Sequence, residues 1–451
     1  MALSQVAFKV EQALGRGGEA VSEQGISNPS NNVSRFADPS GERMKAVTWQ
    51  GKNTVKVEET FKPAIVEPAD IIVRTTGTTI CGSDLHLIHG VVMEMHKGDI
   101  LGHEFCGVVE SVGPSITKLK PGDRVVCSFQ IACGQCRYCA VKLSSQCERT
   151  NDSTIMNSLY GGRTSGIIGY SHLMGGYAGG QAEYVRVPFG DVNLLKIPDN
   201  VPDEKALYLS DVLCTSWNCV VDTGVAKGDV VAIWGAGPIG QMCAEMSFIN
   251  GASRVILIDG GDASWRLEWV KERIPKLETV NYSDLPKGES ITSQLKKMTG
   301  GQGVDVALEC AAGEYAKGWA HYFELLLGLE TDTSEIINEM ITSCRAYGRC
   351  GVTGAYVGFT NHFNIGSLME RGIRLIGNGQ APVHKYWEKL LGMIETGELD
   401  PLRMVSHRVV IDDMDQVYMK YNSREKGMQK VYVQTKFSAP PCQGSPQLTR
   451  Y

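Results

Sequence analysis

Four cysteines lie in one short stretch of the sequence, in the pattern C-x2-C-x2-C-x7-C. They are Cys133, Cys136, Cys139 and Cys147. Four thiolates at close CxxC spacing are the ligand set of a structural zinc site, in which the tetrahedral coordination of the metal is complete and no position is open to a substrate. The pattern therefore predicts a closed zinc site that stabilises the fold.

A second, looser set of metal ligands is indicated by Cys81 in TICGSDLH and by the adjacent residues His103 and Glu104 in GHEFCG. A catalytic zinc ion usually has three protein ligands of mixed sulfur, nitrogen and oxygen type, and it keeps a fourth position for water or substrate. Local spacing does not identify the third ligand. On composition, three further residues are candidates: Asp211, Cys214 and Cys219.

A glycine-rich segment, VVAIWGAGPIGQMCAE, follows a buried strand pattern and opens a helix. Its glycines are Gly235, Gly237 and Gly240, and Pro238 and Ile239 stand between the last two. Glycines at these positions allow a tight turn, a close approach of the backbone to a pyrophosphate and close packing of the helix on the strand. The segment predicts a dinucleotide-binding loop.

The strand that follows this helix, VILID, ends in Asp259. An acidic side chain at that position can bind the ribose hydroxyls of the cofactor and would repel a 2′-phosphate, so NAD is favoured over NADP. An iron–sulfur cluster is the alternative interpretation of the four cysteines. It is disfavoured because no second cluster motif is found around them and because NAD is a better electron carrier for this chain.

The order of apolar segments predicts an α/β protein with two domains. Over residues 44–212, short apolar runs alternate with turn residues, which indicates a mainly antiparallel, barrel-like catalytic domain. Over 213–377, buried strands alternate with helix-length segments, the pattern of a doubly wound Rossmann sheet. Strand-like sequence returns over 378–436 around one amphipathic helix, so the chain is expected to revisit the first domain.

The two ends and the overall charge give further expectations. Residues 1–43 are rich in Gly, Ser, Asn and Glu and are predicted to be a mobile extension, and residues 437–451 a disordered tail. The net charge is −6 and no basic cluster occurs, so nucleic acid and membranes are not expected partners. We expect a cytoplasmic protein, because neither a signal peptide, nor a membrane-spanning apolar run, nor a disulfide framework is evident.

Six motifs occur in one order between residues 44 and 436: CGSDLH, GHEFCGVV, GDRVV, the four-cysteine segment, GAGPIG and VILID. In that order they resemble the zinc-containing medium-chain alcohol dehydrogenases, which join a GroES-like catalytic domain to a Rossmann domain. GGYAGGQAEYVRVPFGDVNLLKIPD, YLSDVLCTSW and GQAPVHKYW are most similar to the glutathione-independent formaldehyde dehydrogenase and dismutase branch. The resemblance implies hydride transfer between an alcohol or aldehyde and NAD, two zinc ions per chain, and a homodimer or homotetramer.

The resemblance also implies roles for particular residues. Cys81, His103 and Asp211 would hold the catalytic zinc, with Asp211 in the slot where other alcohol dehydrogenases carry a cysteine. Glu104 occupies the position that can approach the zinc while water and substrate exchange. Asp84 matches a carboxylate that orients a ligand histidine.

Four other matches concern the substrate and the cofactor. Ser83 matches the residue that hydrogen-bonds the substrate oxygen, and His86 matches the base of a proton relay near the cofactor ribose. Thr215 and Val352 match positions beside the nicotinamide, although either could simply fill the core. Phe129 and the tyrosine-bearing stretch 160–177 are expected to wall the substrate pocket.

Two features depart from the pattern of the family. Gly82 stands where a basic residue would contact the pyrophosphate, so the hold on the cofactor is expected to differ. Residues 313–337 form an insertion. The formaldehyde branch also has a longer segment in this region, and there the segment helps to cover the cofactor. Two alternatives therefore stay open: a redox-neutral dismutase or isomerase with tightly held NAD, and a non-catalytic cofactor-binding protein.

Overall fold

The computed structural model describes residues 22–311, 332–356 and 358–451. The chain forms two compact units: unit 1 runs to Asp211 and resumes over Pro382–Tyr451, and unit 2 is Val212–Ala381. The return to unit 1 lies four residues after the predicted one, which followed residue 377. Residues 378–381 belong to unit 2. The Asn378 N–H donates to the carbonyl of Val352, another residue of this unit, at 2.8 Å.

The first part of unit 1 consists of short strands joined by turns. Its strands are β1 (Arg43–Gly51), β2 (Thr54–Phe61), β3 (Ile71–Thr78), β4 (Phe105–Val112), β5 (Arg124–Cys127), β6 (Gln130–Ile131), β7 (Gly166–Ile167), β8 (Tyr184–Val187) and β9 (Leu194–Lys196). Its helices are α1 (Val33–Phe36), α2 (Gly82–Ile88), α3 (Arg137–Ala140), α4 (Thr154–Tyr160), α5 (Gly190–Asn193) and α6 (Asp203–Ala206).

Unit 2 alternates strands and helices. Its strands are β10 (Val230–Trp234), β11 (Arg254–Asp259), β12 (Glu278–Asn281), β13 (Val304–Glu309), β14 (Cys344–Val352) and β15 (Arg374–Gly377). Its described helices are α7 (Val212–Asp222), α8 (Pro238–Ile249), α9 (Trp265–Arg273), α10 (Ile291–Met298), α11 (Glu335–Ser343) and α12 (Ile365–Glu370). The chain then returns to unit 1 with α13 (Val383–Glu395), β16 (Val405–Val410), α14 (Met414–Asn422) and β17 (Lys430–Gln434).

The main sheet of unit 1 has the strand order β16-β17-β3-β4-β5-β9, and β8 also pairs with β3. Every pairing in it is antiparallel except that of β16 with β17. The two C-terminal strands thus complete a sheet begun by β3. Strand β3 is buried along nearly its whole length.

The sheet of unit 2 is parallel throughout, in the order β12-β11-β10-β13-β14-β15. Renumbered from its first strand this is 3-2-1-4-5-6, the doubly wound order of dinucleotide-binding domains. The central strand β10 reads VVAIW and is buried over its last four residues, as expected of a strand with helices on both faces. The Rossmann architecture predicted from the sequence is confirmed.

The structure differs from the predicted mobile extension wherever that segment is described. Residues 1–21 lie outside the described residues, but the chain from Ser22 onward packs against unit 1. Ile26 is 4% exposed, and its carbonyl accepts from the Ala178 N–H at 2.9 Å. Asn28 accepts from the Thr60 hydroxyl at 2.6 Å. The polar composition was misleading because these short polar side chains hydrogen-bond within the fold.

The predicted disordered tail over 437–451 is also wrong, because these residues pack on unit 1. The ring of Phe437 lies edge-on to Tyr184, with 5.2 Å between the centroids. Arg450 pairs with Asp413 at 2.7 Å, and the Thr449 N–H donates to the Arg408 carbonyl. Proline and glycine in this segment produce an irregular backbone, which is compatible with such side-chain contacts.

Most of the predicted insertion over 313–337 lies outside the described residues, and its last three residues begin α11 (Glu335–Ser343). Among the residues that the structure describes, no helix has both the length and the apolar character needed to cross a membrane.

Candidate active site and metal centres

The register of two strands brings the first ligand candidates together. Thr78, the last residue of β3, pairs with Phe105, the first residue of β4. Cys81 lies three residues after the end of the first strand, and His103 lies two residues before the start of the second. The antiparallel pairing at this point therefore places both beside one end of the sheet. Residues separated by a long loop thereby become neighbours.

Four side chains meet at this end of the sheet: Cys81, His103, Glu104 and Asp211. Each offers one ligand atom, and these atoms all lie within 4.8 Å of one another. Asp211 follows a buried turn of 3-10 helix, Leu207–Ser210, whose last carbonyl accepts from the Phe129 N–H at 3.2 Å. Of the three residues left open by composition, Asp211 is therefore the one that joins this group.

The two nitrogens of His103 face different partners. Its Nε2 lies 3.3 Å from Asp211 Oδ2 and 3.4 Å from the Ser83 hydroxyl. Its Nδ1 lies 3.2 Å from the carboxylate of Asp84, which is fully buried. A histidine whose Nδ1–H donates to a carboxylate presents the lone pair of Nε2 to a metal, so Asp84 has the geometry of a residue that orients a ligand.

Asp84 is itself held in place by the start of α2. It accepts from the Cys81 N–H at 2.9 Å, which closes the first turn of this helix. It also accepts from the side-chain amide of Gln181 at 3.2 Å. Because the same carboxylate fixes both the backbone of Cys81 and the ring of His103, it sets the relative position of two ligand candidates.

Lys430, at the start of β17, contacts the group from the other side. Its Nζ lies 2.5 Å from Glu104 Oε1, and both side chains are 1% exposed. Sequence reasoning missed this residue. The one signal was a lysine at the head of the otherwise apolar run KVYV, and its burial depends on the pairing of β17 with β3.

The charges around this group fit a bound cation. Cys81, Asp211, Glu104 and Asp84 supply a thiol and three carboxyl groups around one histidine, and Lys430 supplies one positive charge among them. Buried carboxylates are costly unless they are paired with positive charge or coordinate a metal. The mixture of sulfur, nitrogen and oxygen donors suits zinc with one position open.

Two aromatic rings border the same group. Phe129 lies edge-on to His103 with 6.1 Å between centroids, and Tyr170 does so at 5.8 Å. Both were expected to wall the pocket. Of the other tyrosines in the predicted stretch, Tyr160 is exposed and Tyr177 is buried against Ser22, so neither borders His103 in this way. His86 is half-buried on α2, five residues after Cys81.

The four cysteines predicted to bind structural zinc form a second cluster in unit 1: Cys133, Cys136, Cys139 and Cys147. The sulfur of Cys136 lies 3.5 Å from that of Cys139 and 3.9 Å from that of Cys147. Zinc–sulfur bonds of about 2.3 Å in a tetrahedron require sulfurs about 3.8 Å apart, so the spacing fits this ion. The four-cysteine cluster is assembled from one continuous segment, which is why spacing alone predicted it.

In unit 2, the glycine-rich loop connects β10 to α8. Gly235 has a φ of +98°, and a Cβ there would lie 2.9 Å from the Cys310 carbonyl. A Cβ at Gly240 would lie 1.9 Å from the Gly235 carbonyl, whereas one at Gly237 would meet nothing within 4 Å. Two glycines therefore permit the turn and the helix packing, and the third leaves open space at the start of the helix for a pyrophosphate.

The other residues predicted to bind the cofactor also lie in unit 2. Pro238 and Ile239 form the first turn of α8. Asp259 ends β11, and its two carboxylate oxygens accept from the Ala236 and Gly260 N–H groups, each at 2.8 Å. Thr215 is buried on α7, and Val352 is half-buried at the end of β14.

A further cluster of potential ligands in unit 1 was missed by the sequence analysis: His96, Asp99 and His172. His172 Nε2 lies 3.2 Å from Asp99, and the two imidazole rings are stacked at 4.0 Å. One ligand atom from each of the three residues lies within 4.8 Å of the other two. The spacing His96-x2-Asp99 was the available signal in the sequence.

Comparison with known proteins agrees with this geometry. Residues 67–199 match the family described as the alcohol dehydrogenase GroES-like domain. A zinc-type alcohol dehydrogenase-like protein of Schizosaccharomyces pombe is 40% identical over 396 residues, covering 88% of this chain and 92% of the relative. A glutathione-independent formaldehyde dehydrogenase of Pseudomonas aeruginosa is 30% identical over 415 residues, covering 86% of this chain and 96% of that protein.

Among solved structures, the chain is similar to the alcohol dehydrogenase TADH from Thermus sp. ATN1. The TM-score is 0.72 and the sequence identity 32%, and the match covers 87% of this chain and 100% of the other.

Proposed function

This chain belongs to the zinc-type alcohol dehydrogenase family and is a zinc-dependent, NAD-linked oxidoreductase; from that premise, we propose that Cys81, His103 and Asp211 hold its catalytic zinc and that it acts on small alcohols or aldehydes. The observation that carries the proposal is the convergence of a thiol, an imidazole and a carboxyl group within 4.8 Å. Zinc bound there supplies a Lewis acid that polarises the substrate oxygen, and NAD supplies the hydride acceptor.

The residues around the zinc ligands have separate tasks in this proposal. Asp84, whose carboxylate lies 3.2 Å from Nδ1 of His103, keeps Nε2 directed at the metal. Ser83, whose hydroxyl lies 3.4 Å from the same Nε2, binds the substrate oxygen and passes on its proton. His86 receives that proton and releases it to water. Glu104 pairs with Lys430 and lies beside the metal position, where it can approach the zinc while water and substrate exchange.

The size of the substrate is limited by Phe129 and Tyr170, whose rings lie within about 6 Å of the His103 ring. Two aromatic rings this close to a ligand leave space for a short carbon chain, which favours small alcohols and their aldehydes. We expect Tyr170→Ala to raise kcat/KM for longer alcohols relative to short ones. An unchanged ratio would argue against Tyr170 as a wall of the pocket.

The experiment that tests the proposal follows NADH absorbance with a series of primary alcohols of increasing length. His103→Gln should abolish turnover and remove one zinc ion per chain, because it deletes one of three ligands. His89→Gln, a change of the same type at a histidine outside the clusters of potential metal ligands, should leave both unchanged. Equal zinc content in the two variants would contradict the assignment of His103.

NAD is proposed to bind tightly and still exchange, so that net dehydrogenation dominates over dismutation. The test is to purify the protein without added cofactor, denature it and assay the supernatant for NAD, and then to measure turnover with and without external NAD. Stoichiometric NAD with full activity on aldehyde alone would identify a dismutase that recycles its own hydride. Dependence on added NAD supports the proposal.

The chain is further proposed to form a homodimer through the last strand of the unit 2 sheet. Strand β15 is the terminal strand of that sheet, and Leu375 on it is exposed. Tyr347, Ile365 and Met369, from neighbouring elements, are also exposed. Exposed edge strands with apolar residues are a template for pairing with a second copy. Light scattering should give a dimer for the wild type and a monomer for Leu375→Lys; a monomeric wild type would overturn the proposal.

A cytoplasmic location is proposed because none of the 14 cysteines forms a disulfide. Structural thiols persist unpaired in reducing compartments, whereas secreted proteins use them in disulfides. Cell fractionation with an antibody tests this, and recovery from the secreted fraction would contradict it.

A further inference from the structure

Unit 2 contains a cluster of three cysteines that the proposed function does not use: Cys219, Cys243 and Cys310. They come from three different elements, since Cys219 lies on α7, Cys243 on α8 and Cys310 directly after β13. Their sulfur atoms all lie within 4.8 Å of one another, and those of Cys243 and Cys310 are 3.8 Å apart.

The sulfur spacing in this three-cysteine cluster is that of a metal site. The separation of 3.8 Å falls between the 3.5 and 3.9 Å found between sulfurs of the four-cysteine cluster in unit 1. It equals the edge of about 3.8 Å expected for a tetrahedron with zinc–sulfur bonds of about 2.3 Å. A metal ion can therefore be bound with little movement of the side chains.

The hydroxyl of Thr353 provides an independent observation at the same place. Thr353 follows β14 and is 8% exposed. The Thr353 hydroxyl lies close enough to the Cys219 thiol to interact with it. Apart from this interaction, Thr353 Oγ1 is buried and makes no hydrogen bond with the residues that the structure describes.

The surroundings favour a cation over three uncharged thiols. Asp222, one helical turn after Cys219, places a carboxyl group on the same helix. Other buried cysteines of the chain, such as Cys214, belong to no such group. Thiolates select soft or borderline ions, and a thiolate set with one oxygen suits zinc and its larger analogue cadmium.

We propose that Cys219, Cys243 and Cys310, with the hydroxyl of Thr353 as a fourth ligand, form a binding site in unit 2 for a thiophilic divalent cation of the zinc and cadmium type. This site is separate from both zinc sites of unit 1. It lies directly behind the cofactor loop, because the Cys310 carbonyl is 2.9 Å from the position of a Cβ on Gly235. A metal ion bound at this site would therefore affect the position of the backbone that binds the pyrophosphate.

The test measures zinc per chain by mass spectrometry after saturation with zinc and removal of excess ion. We expect three zinc ions in the wild type and two in Cys219→Ser and in Cys310→Ser. Cys214→Ser is the matched control, because it removes a buried thiol from the same helix, and it should retain three. Since the four-cysteine and catalytic sites are unchanged in these variants, failure here leaves the proposed function standing.

A second measurement identifies the ligands. With cadmium-113 in place of zinc, nuclear magnetic resonance should show a resonance for three sulfurs and one oxygen, distinct from that of the four-cysteine cluster. This resonance should disappear in Cys310→Ser and shift in Thr353→Val, which keeps the shape of the side chain without its oxygen. Two zinc ions in the wild type, a disulfide between Cys243 and Cys310, or equal metal loss in Cys214→Ser would each overturn the proposal.

Discussion

Lys430 and Glu104 form a buried ion pair, with 2.5 Å between Nζ and Oε1 and 1% exposure on each side chain. Lys430 Nζ also donates to the Ile80 carbonyl at 3.1 Å, which ties the pair to the segment that precedes Cys81. Burial lowers the pKa of Lys430, but the Glu104 carboxylate outweighs this, and the pKa ends above its usual value. The lysine is therefore charged in the folded protein and balances a carboxylate beside the metal ligands.

Removing this lysine should destabilise unit 1. Breaking a buried ion pair by deleting one partner costs about 3–5 kcal/mol, because the other charge stays buried without compensation. We expect Lys430→Met to lower the free energy of unfolding by that amount in a urea titration. Lys430→Met combined with Glu104→Gln should recover part of the loss. Lys436→Met is the control, since that lysine is half exposed; an equal effect of both single changes would contradict the role given to Lys430.

The two predicted zinc sites of unit 1 should respond differently to loss of a ligand. Cys136→Ser should lower the melting temperature and release one zinc ion, because the four-cysteine cluster leaves no other ligand to replace the thiolate. His103→Ala should release one zinc ion and stop turnover while the melting temperature stays close to that of the wild type. Cys127→Ser, a buried thiol outside both sites, is the control. Equal loss of fold in the first two variants would refute this division.

Cofactor choice should depend on Asp259. Its carboxylate accepts from two backbone N–H groups of the loop region, and in the proposed complex it also meets the ribose hydroxyls. We expect Asp259→Ser to weaken the preference for NAD over NADP on the order of ten- to hundredfold, as loss of one charged contact suggests. Asp262→Ser, an exposed acid three residues later, should leave the ratio of kcat/KM values unchanged. A wild type that is faster with NADP would overturn the assignment.

His384 should make the stability of unit 1 depend on pH. Its Nδ1 lies 2.7 Å from the Ser144 hydroxyl and its Nε2 lies 3.1 Å from the Asn193 side-chain oxygen. Burial lowers the pKa of His384 from 6.5 to about 4. Between these values the unfolded chain binds a proton that the folded chain does not, so the stability present above pH 6.5 is lost as the pH falls towards 4.

The size of this effect can be measured in one variant. The linkage relation gives a loss of about 2 kcal/mol between pH 7 and pH 5 for a shift of this size. In His384→Gln the difference in unfolding free energy between these two pH values should shrink by that amount, whereas in His362→Gln, at an exposed position, it should not change. A pH dependence that is identical in the wild type and His384→Gln would show that other groups cause it.

The parts of the site that the sequence predicted are those built from one continuous segment. The four-cysteine cluster, the glycine loop and Asp259 each depend on local spacing, because a loop, a turn or one strand–helix–strand unit determines their geometry. The ligand pair of Cys81 and His103 could be suspected, but their proximity depends on the register of β3 with β4. Registers between distant strands follow from packing, which composition and periodicity do not contain.

The residues that the sequence analysis missed depend on long-range pairing. Lys430 reaches Glu104 because β17 is placed beside β3, and the three-cysteine cluster forms where two helices and a strand end meet. The two wrong expectations, at residues 22–43 and 437–451, have a common cause. Polar, glycine-rich or proline-rich segments lack a hydrophobic period, yet they can be fixed by hydrogen bonds to an existing surface, as Asn28 and Arg450 are.

The discontinuity of unit 1 has a consequence for how the chain is made. Glu104 and Lys430 are 326 residues apart in sequence, and all of unit 2 lies between them. Unit 2 is continuous, so it can fold while the ribosome is still adding the last residues, whereas the Gly77–Thr78 end of β3 stays unpaired on one edge until β17 is made. Contacts between such distant segments form slowly. During that interval the unpaired strand edge of the incomplete sheet can pair with other chains. Translation that stops short of Lys430 would therefore yield a chain with a folded nucleotide-binding unit and an unfinished catalytic one.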